Sequence, residues 1–579
     1  MTVESAPDPM DWRCAPQLSG MPAAFNAAGV LTSADIAVAQ RCCALVEESD
    51  EIVALAVALA VRALREGSVC VDLTTVADDL GGDLPWPSAT ELLSAVRASP
   101  LTGTAIRLDF DRLLYLDRYW REELQVCTDL LALAAGPQLN GTVADGELER
   151  LFPAPDFAEQ RAAAELALTQ PVTVLTGGPG TGKTTTVARL LALLAQAAAP
   201  QRLRIALAAP TGKAAARLQE AVSAEVAKLD ETNRQLLGTL QAVTLHRLLG
   251  GRPDNTSRFR HHRANRLPHD VIVVDETSMV SLTMMARLLE SVRPGARLLL
   301  VGDPDQLTSV QAGAVLADLV DGLAGHRDIE IAALRTTHRF GASIGALAAA
   351  IRAGDADQVV SLLRSGDAAI EFIEDPDPTE ALRPVLVEHA VRVRECALLN
   401  IGKIGVQTMD QHRLLCAHRD GPYGVRHWNQ QVQRWMSEAT GQVTWSPWYP
   451  GRPLLVTAND YALGIYNGDT GLVVAGPDGP LVCIAGAAGV QHFAPSRISD
   501  VETMYALTIH KSQGSQAREV TVLMPPVDSR LLTRELFYTA VTRAKQKVRI
   551  VGSADEVRAA VQRQALRATG LRRRLLTPR

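Results

Sequence analysis

From position 172 the chain alternates short, continuous apolar runs with longer stretches of helical periodicity. The runs are VTVLT (172–176), RIALAA (204–209), VIVVD (271–275) and RLLLVG (297–302). Uninterrupted Val/Leu/Ile segments of this length predict parallel strands covered on both faces. Each run ends at a polar or glycine-rich motif, and a parallel α/β sheet binds its ligands outside the carboxyl ends of its strands. A second set, RLLCA (413–417), ETMYALTIH (502–510), EVTVLM (519–524) and KVRIVG (547–552), predicts a second α/β layer. Between the sets, residues 421–502 are rich in Gly, Pro and short β-branched runs, with turn signals at Asn467-Gly468 and Asp478-Gly479. These predict a small β domain inserted in the second layer. Residues 1–150 carry helical patterns (35–64, 90–98, 119–136) and no catalytic motif, and the two prolines of PAPDFAEQ (153–160) mark a boundary. The expected organisation is a helical unit at 1–150, an α/β layer at 151–340, and a second layer at 341–579 with the β insertion at about 421–502.

Length agrees with this division, because 579 residues exceed what one hydrophobic core organises. Hydrophobic residues make up 47% and charged residues 21%, a globular composition. The net charge of −6 argues against a general nucleic-acid coat, so any DNA path is local. The basic stretches are RFRHHRANR (258–266) and the tail 563–579, which has no acidic residue. A solvated surface or hairpin tip accounts for either as well as a partner does. Eight scattered cysteines without a CxxC pair suggest neither a zinc framework nor a disulfide scaffold, which fits a reducing cytoplasm. MTVESAPDPM lacks the features of a signal peptide. IVALAVALAV (52–61) is half the length that crosses a bilayer and runs into Arg62, so it reads as a buried helix and no membrane association is expected.

The chemistry begins at GGPGTGKT, which follows a strand, precedes a helix and satisfies GxxxxGK[ST]. In the loop Gly177, Gly178, Pro179, Gly180, Thr181 and Gly182, the glycines would let backbone N–H groups wrap phosphate oxygens, Pro179 having none to give. Lys183 would reach the β- and γ-phosphates of ATP, and Thr184, with Thr185 beside it, would offer its hydroxyl to Mg²⁺. Asp275, ending the VIVVD strand, is the second metal candidate, and Glu276 the base for the attacking water. Gln306, in GDPDQL, can sense a γ-phosphate without neutralising it, and the amide of Gln160 can read an adenine edge. APTGKAA (209–215) lacks P-loop spacing and a hydroxyl after Lys213, so it must serve something else.

The series GGPGTGKT, APTGKAA, TLHRLLG, DETSM, GDPDQL, THR, TIHKSQGSQ and YTAVTRAKQK resembles the ordered motifs of superfamily-one DNA helicases. GPYGVRHWNQ (421–430), WYPGRPLLVTANDYALGIYNGDTG (448–471) and TRELFYTAVTRAK (533–545) narrow the resemblance to the RecD family, the alpha subunits of exodeoxyribonuclease V (RecBCD). It covers about 151–555 strongly and the first 150 residues loosely, through ALREGSVCVDL (63–73). The resemblance implies two RecA-like motor domains, an SH3-like inserted β domain, and an ATP- and Mg²⁺-dependent 5′→3′ DNA helicase. It further implies a heterotrimer with RecB-like and RecC-like subunits; the 1–150 region, with helical apolar pattern enough for its own core and no nucleotide or DNA motif, is expected to dock the motor on a partner. By the same resemblance Thr211, Thr244, His246, Asn467, Thr508, His510 and Lys511 hold DNA, and Gln513 and Gly514 link the ATP and DNA sites. Arg339 and Arg543 would be arginine fingers reaching across the cleft. A stand-alone helicase of the same branch, or a nucleotide-switch ATPase that does not move on DNA, is the competing expectation. No carboxylate cluster for a nuclease stands outside the ATP motifs, so nuclease activity would belong to a partner.

Overall fold

The computed structural model describes residues 13–14, 20–136, 143, 146–252, 255–309, 311–326, 329–336, 341–375, 377–442, 446–460, 462–486, 489–565 and 567–576. Its organisation is α/β, with two separate parallel sheets, an antiparallel sheet and a largely helical amino-terminal unit.

The helical pattern at 35–64 resolves into two helices, Ser33–Ala44 and Glu51–Arg65, broken where Ser49 and Asp50 turn back on Glu48. Thr32 and Asp35 form a capping box on the first, and Asp50 caps the second through the Ile52 N–H. The predicted buried helix is the second, whose Leu55, Ala56, Val57, Ala58, Leu59 and Ala60 are all buried. A small antiparallel sheet of Val71–Asp72, Leu113–Leu116 and Ile106–Asp109 and the long helix Asp117–Ala134 complete the unit.

The first parallel sheet has six strands in the order Ile331–Leu334, Val172–Gly177, Arg297–Gly302, Val271–Val274, Ile205–Ala209 and Ala242–Thr244. The four central strands are the apolar runs read from the sequence. The two edges escaped it, one because three residues give no periodicity and the other because IAAL reads equally as helix.

The second parallel sheet orders Ile370–Ile373, Ala544–Val551, Ala517–Leu523, His412–Cys416 and Ala506–Thr508. Here one expectation is corrected. ETMYALTIH is not one strand: Val501–Thr503 pairs in the antiparallel sheet, and Ala506–Thr508 pairs in the parallel one. The chain changes sheets at Met504 and Tyr505, where Met504 N–H donates to Pro453 and the Asn429 amide oxygen takes the Ala506 N–H. The antiparallel sheet runs from Pro453 to Thr503 in five strands. The stretch before it forms a helix, Val425–Thr440, whose Trp428, Val432, Trp435 and Met436 pack into the second layer.

Both basic stretches are held by the fold. Arg263 makes two hydrogen bonds to Asp129 in the Asp117–Ala134 helix, and Arg266 donates to the Val292 carbonyl. The tail returns from the second layer to the first and to the amino-terminal unit. Arg567 donates to the carbonyls of Ser309 and Gln311, and the Ala568 carbonyl accepts the Val69 N–H at 2.8 Å. Leu571 and Leu575 bury against the helix Val315–Gly322, approaching so closely that a Cβ on Gly322 would lie 2.9 Å from that of Leu575. Arg574 enters a pocket walled by Phe110, Tyr115 and Trp120, where it pairs with Asp109 and with the fully buried Glu123. Glu123 also accepts from Tyr115, Thr569 and the Gly570 N–H. No helix among the described residues is long and apolar enough to cross a membrane.

Candidate active site and nucleic-acid interface

The nucleotide loop leaves the strand Val172–Gly177 and enters the helix Lys183–Ala198. Gly180 and Gly182 both sit at φ 86°, a conformation that a side chain disfavours. A Cβ on Gly177 would lie 2.8 Å from the Leu334 carbonyl, so the loop also needs glycine for close approach to the edge strand. Thr181 ties the loop to the Gly178 carbonyl at 2.9 Å. Lys183 curls over it, its Nζ donating to the carbonyls of Gly177 at 2.6 Å and Gly178 at 2.9 Å. Thr184 and Thr185 occupy the first turn of the helix beyond Lys183. The Gln160 amide is buried against the loop and donates to the Thr181 carbonyl, so in this state it braces the loop.

Asp275 and Glu276 follow the central strand Val271–Val274. Glu276 adopts φ 50°, a left-handed conformation costly for a residue with a side chain, and its N–H closes on the Asp275 carboxylate at 2.9 Å. Desolvation first, and the adjacent Glu276 second, push the Asp275 carboxyl up to about 6, against the pull of Lys183. Asp303, at the end of the neighbouring strand, is also raised by burial, again opposed by Lys183. A half-buried and a buried carboxyl group near one lysine leave a site short of positive charge. A divalent cation between the Thr184 hydroxyl and Asp275 fits this donor set of hard oxygens. Among the described residues no cluster of three His, Cys, Asp or Glu offers a separate metal site.

The second layer closes directly on the GDPDQL loop. Arg543 Nη2 donates to the Gln306 amide oxygen at 2.8 Å, Gln513 Nε2 to the Leu307 carbonyl at 2.7 Å, and the Leu307 N–H to Thr539 Oγ1 at 2.8 Å. Arg543 thus reaches across from the second layer to the first. Arg339 lies outside the described residues. Two groups that sequence reasoning passed over stand in the same seam. Tyr538 donates its hydroxyl to Asp303, and a Cβ on Gly178 would lie 3.1 Å from that hydroxyl. Both residues lie within motifs already singled out, but nothing in the spacing distinguished them from their neighbours.

The candidate DNA residues fall into two groups. In the first layer Thr211 caps the helix Gly212–Val226 through the Ala214 N–H, and Thr244 caps Leu245–Leu249 through the Arg247 N–H. His246 is exposed, its ring centroid 5.9 Å from that of Phe259. The antiparallel sheet docks on the first group. A Cβ on Gly212 would lie 2.8 Å from that of Tyr466, and Asn467 is exposed on the same turn. Lys213 sits at this junction, where desolvation and the nearby Arg413 lower its ammonium to about 7. A Cβ on Gly514, which sits at φ 66°, would lie 3.5 Å from that of Ala214, so the loop from Gln513 to Gly514 borders both the GDPDQL loop and the start of the Gly212 helix. In the second layer Thr508 and Lys511 line a cleft of about 310 Å³ with Arg419, Arg426 and Asn429, and Lys511 pairs with Glu502 at 2.7 Å. His510 is not on that cleft. It is desolvated and faces Arg567 of the tail, and both lower its pKa.

Three family models match the chain. "RecBCD enzyme subunit RecD, N-terminal domain" covers residues 27–107, "AAA domain" covers 160–312, and "UvrD-like helicase C-terminal domain" covers 503–551. The RecBCD enzyme subunit RecD of Mycobacterium tuberculosis is 66% identical over 565 residues, spanning 96% of this chain and 97% of that protein. The ATP-dependent RecD2 DNA helicase of Deinococcus radiodurans is 32% identical over 82% of this chain and 60% of that one. A solved structure of the Pif1 helicase from Candida albicans, at 16% identity, covers 70% of this chain and 96% of that one with a TM-score of 0.40, too remote to carry the assignment. The mycobacterial identity spans the nucleotide loop, both parallel sheets and the antiparallel insertion alike; the chain belongs to the RecD family of superfamily-one helicases.

Proposed function

We propose that the chain is the 5′→3′ ATP-driven DNA helicase subunit of a RecBCD-type helicase-nuclease, acting in the cytoplasm on duplex ends with RecB-like and RecC-like partners. The observation that carries the motor reading is the seam itself. Arg543 and Gln513 of one layer bond to consecutive residues, Gln306 and Leu307, of the other, beside the nucleotide loop.

Lys183, held at the mouth of the loop, neutralises the β- and γ-phosphates, and the loop N–H groups orient them. Thr184 and Asp275 would hold Mg²⁺, which supplies further charge neutralisation when bound. Glu276, turned by its left-handed backbone at the strand end, takes the proton of the attacking water. Gln306 reads the γ-phosphate and passes its state to Arg543. Hydrolysis then removes what both layers hold, the layers part, and their DNA contacts move relative to one another. Thr211, Thr244 and His246 grip the strand from the first layer. Thr508 and Lys511 grip it from the second, with Asn467 on the inserted sheet; hydroxyls, N–H groups and cations bind phosphate without reading bases. The amino-terminal unit docks the motor on its partners.

Two tests follow. Unwinding of 5′-tailed duplexes by the full-length chain, with 3′-tailed duplexes inert, is the expected result; a preference for 3′ tails would reverse the assigned polarity. Glu276→Gln is expected to keep nucleotide binding, to lose about 100-fold or more in turnover, and to trap the closed, tightly DNA-bound form in a filter-binding assay. Near-native turnover would remove Glu276 from the role of base.

A further inference from the structure

The candidate mechanism gives Gln306 and Arg543 parts in hydrolysis but leaves Asp303 and Tyr538 without one. Both are nonetheless buried at the centre of the seam. The Asp303 carboxylate has partners from both layers. Its Oδ2 accepts from the Gln306 amide at 2.9 Å and from the Tyr538 hydroxyl at 3.2 Å, and its Oδ1 accepts the Asp305 N–H at 3.1 Å. Gln306 in turn presents its amide oxygen to Arg543. The orientation of the Gln306 amide is therefore fixed from both ends, nitrogen toward Asp303 and oxygen toward Arg543. Tyr538 stands one residue before Thr539, which accepts the Leu307 N–H through its hydroxyl and the Arg543 Nε–H through its carbonyl. On its other side the Tyr538 hydroxyl lies against Gly178 of the nucleotide loop. One phenol thus touches the phosphate loop of the first layer and the carboxylate that aims its γ-phosphate sensor, while belonging to the helix Arg534–Val541 of the second.

From this juxtaposition we propose that Asp303 and Tyr538 are positioning residues forming an interlayer latch: the hydrogen bond between them sets Gln306 and Arg543 for hydrolysis when the second layer closes on the nucleotide loop. The inference rests on the reading of the site as an ATPase. It assigns the pair to the rate of the closed state and not to nucleotide affinity. Asp303 is spent on the side chains that do the sensing, and the loop that binds phosphate is built from other residues. A buried carboxylate with three donors is a rigid support, and a sensor displaced by a fraction of an ångström loses much of its effect.

Tyr538→Phe removes one hydroxyl and keeps the ring, so the packing of the helix is preserved. In the full-length chain it is expected to lower single-strand-stimulated kcat by about tenfold, with KM for ATP and the Kd for ADP changed by less than about threefold. Asp303→Asn is expected to lower kcat further, by about 100-fold. The double variant Tyr538→Phe/Asp303→Asn should turn over like Asp303→Asn alone, because the phenol acts only through the carboxylate. Native kcat in Tyr538→Phe overturns the latch, as do losses that multiply in the double variant. So does a parallel loss of ADP affinity and thermal stability, the mark of a merely structural contact. Lys183→Ala run alongside separates the two levels: turnover retained there sinks the ATPase reading and the latch with it, whereas turnover lost there but native in Tyr538→Phe sinks the latch alone.

Discussion

Lys183→Ala is expected to abolish ATP hydrolysis and unwinding, with turnover falling by at least ~100- to 1000-fold, while the fold is retained. The ammonium is the one cation of the nucleotide loop, and it opposes the burial that raises both Asp275 and Asp303. Its hydrogen bonds are made to Gly177 and Gly178 of its own loop, so truncation costs no contact between distant elements. The half-buried stem contributes little packing, and the variant should stay folded, with a stability change of about 1 kcal/mol, the ordinary size for a point substitution. A single-strand-stimulated ATPase assay beside a circular-dichroism melt decides it. Retained turnover in a folded variant would place the chemistry elsewhere.

The second large effect is on stability. Arg574→Ala is expected to destabilise the chain by about 3–5 kcal/mol, far more than a tail residue usually does. It strips the buried Glu123 of its one cationic partner among the described residues and empties a pocket lined by three aromatic rings. The deficit should depend on pH. Desolvation already raises Glu123 above the ordinary carboxylate range, even though Arg574 pulls it back down. A carboxyl raised on folding contributes stability that is complete below its unfolded pKa and lost as pH rises through the folded one. Without Arg574 the folded pKa climbs further. The variant should therefore lie furthest below the native chain at alkaline pH and approach it as the pH falls and Glu123 takes up a proton. Thermal melts from acid to alkaline pH measure it, and a deficit independent of pH would show that packing alone was lost.

Much of this molecule could be read from its sequence, for identifiable reasons. Central strands of a parallel sheet are apolar on both faces, so VTVLT, RIALAA, VIVVD and RLLLVG announced themselves. The nucleotide loop combined a fixed spacing with a strand before it and a helix after it, a pairing that chance seldom supplies. The split of ETMYALTIH between two sheets was hidden, because a chain that leaves one sheet for another stays apolar throughout. The resemblance grouped His510 with Thr508 and Lys511; nothing local showed that His510 would open a 3-10 turn, His510–Ser512, where burial and the charge of Arg567 lower its pKa. The roles of Asp303 and Tyr538 depend on two residues 235 positions apart meeting at one oxygen, which no local pattern encodes. The tail was ambiguous for a similar reason. Its lack of acidic residues describes only the tail, whereas the acids that receive it, Asp109 and Glu123, belong to the amino-terminal unit.

That return of the tail sets an order of events during synthesis. Residues 567–576 follow both motor layers in the chain, yet Val69, Glu123 and the helix Val315–Gly322 complete their contacts only with them. Domains of nascent chains ordinarily fold one after another from the amino-terminal side. Here Glu123 of the amino-terminal unit stays without its Arg574 partner for the whole interval in which the two motor layers are made. A chain released early, with both layers intact but the tail missing, would hold every candidate ATP ligand and still expose an unpaired acid and the apolar seat of Leu571 and Leu575. Loss of residues 567–576 would therefore be felt in the amino-terminal unit and under the helix Val315–Gly322, far in sequence from the cut.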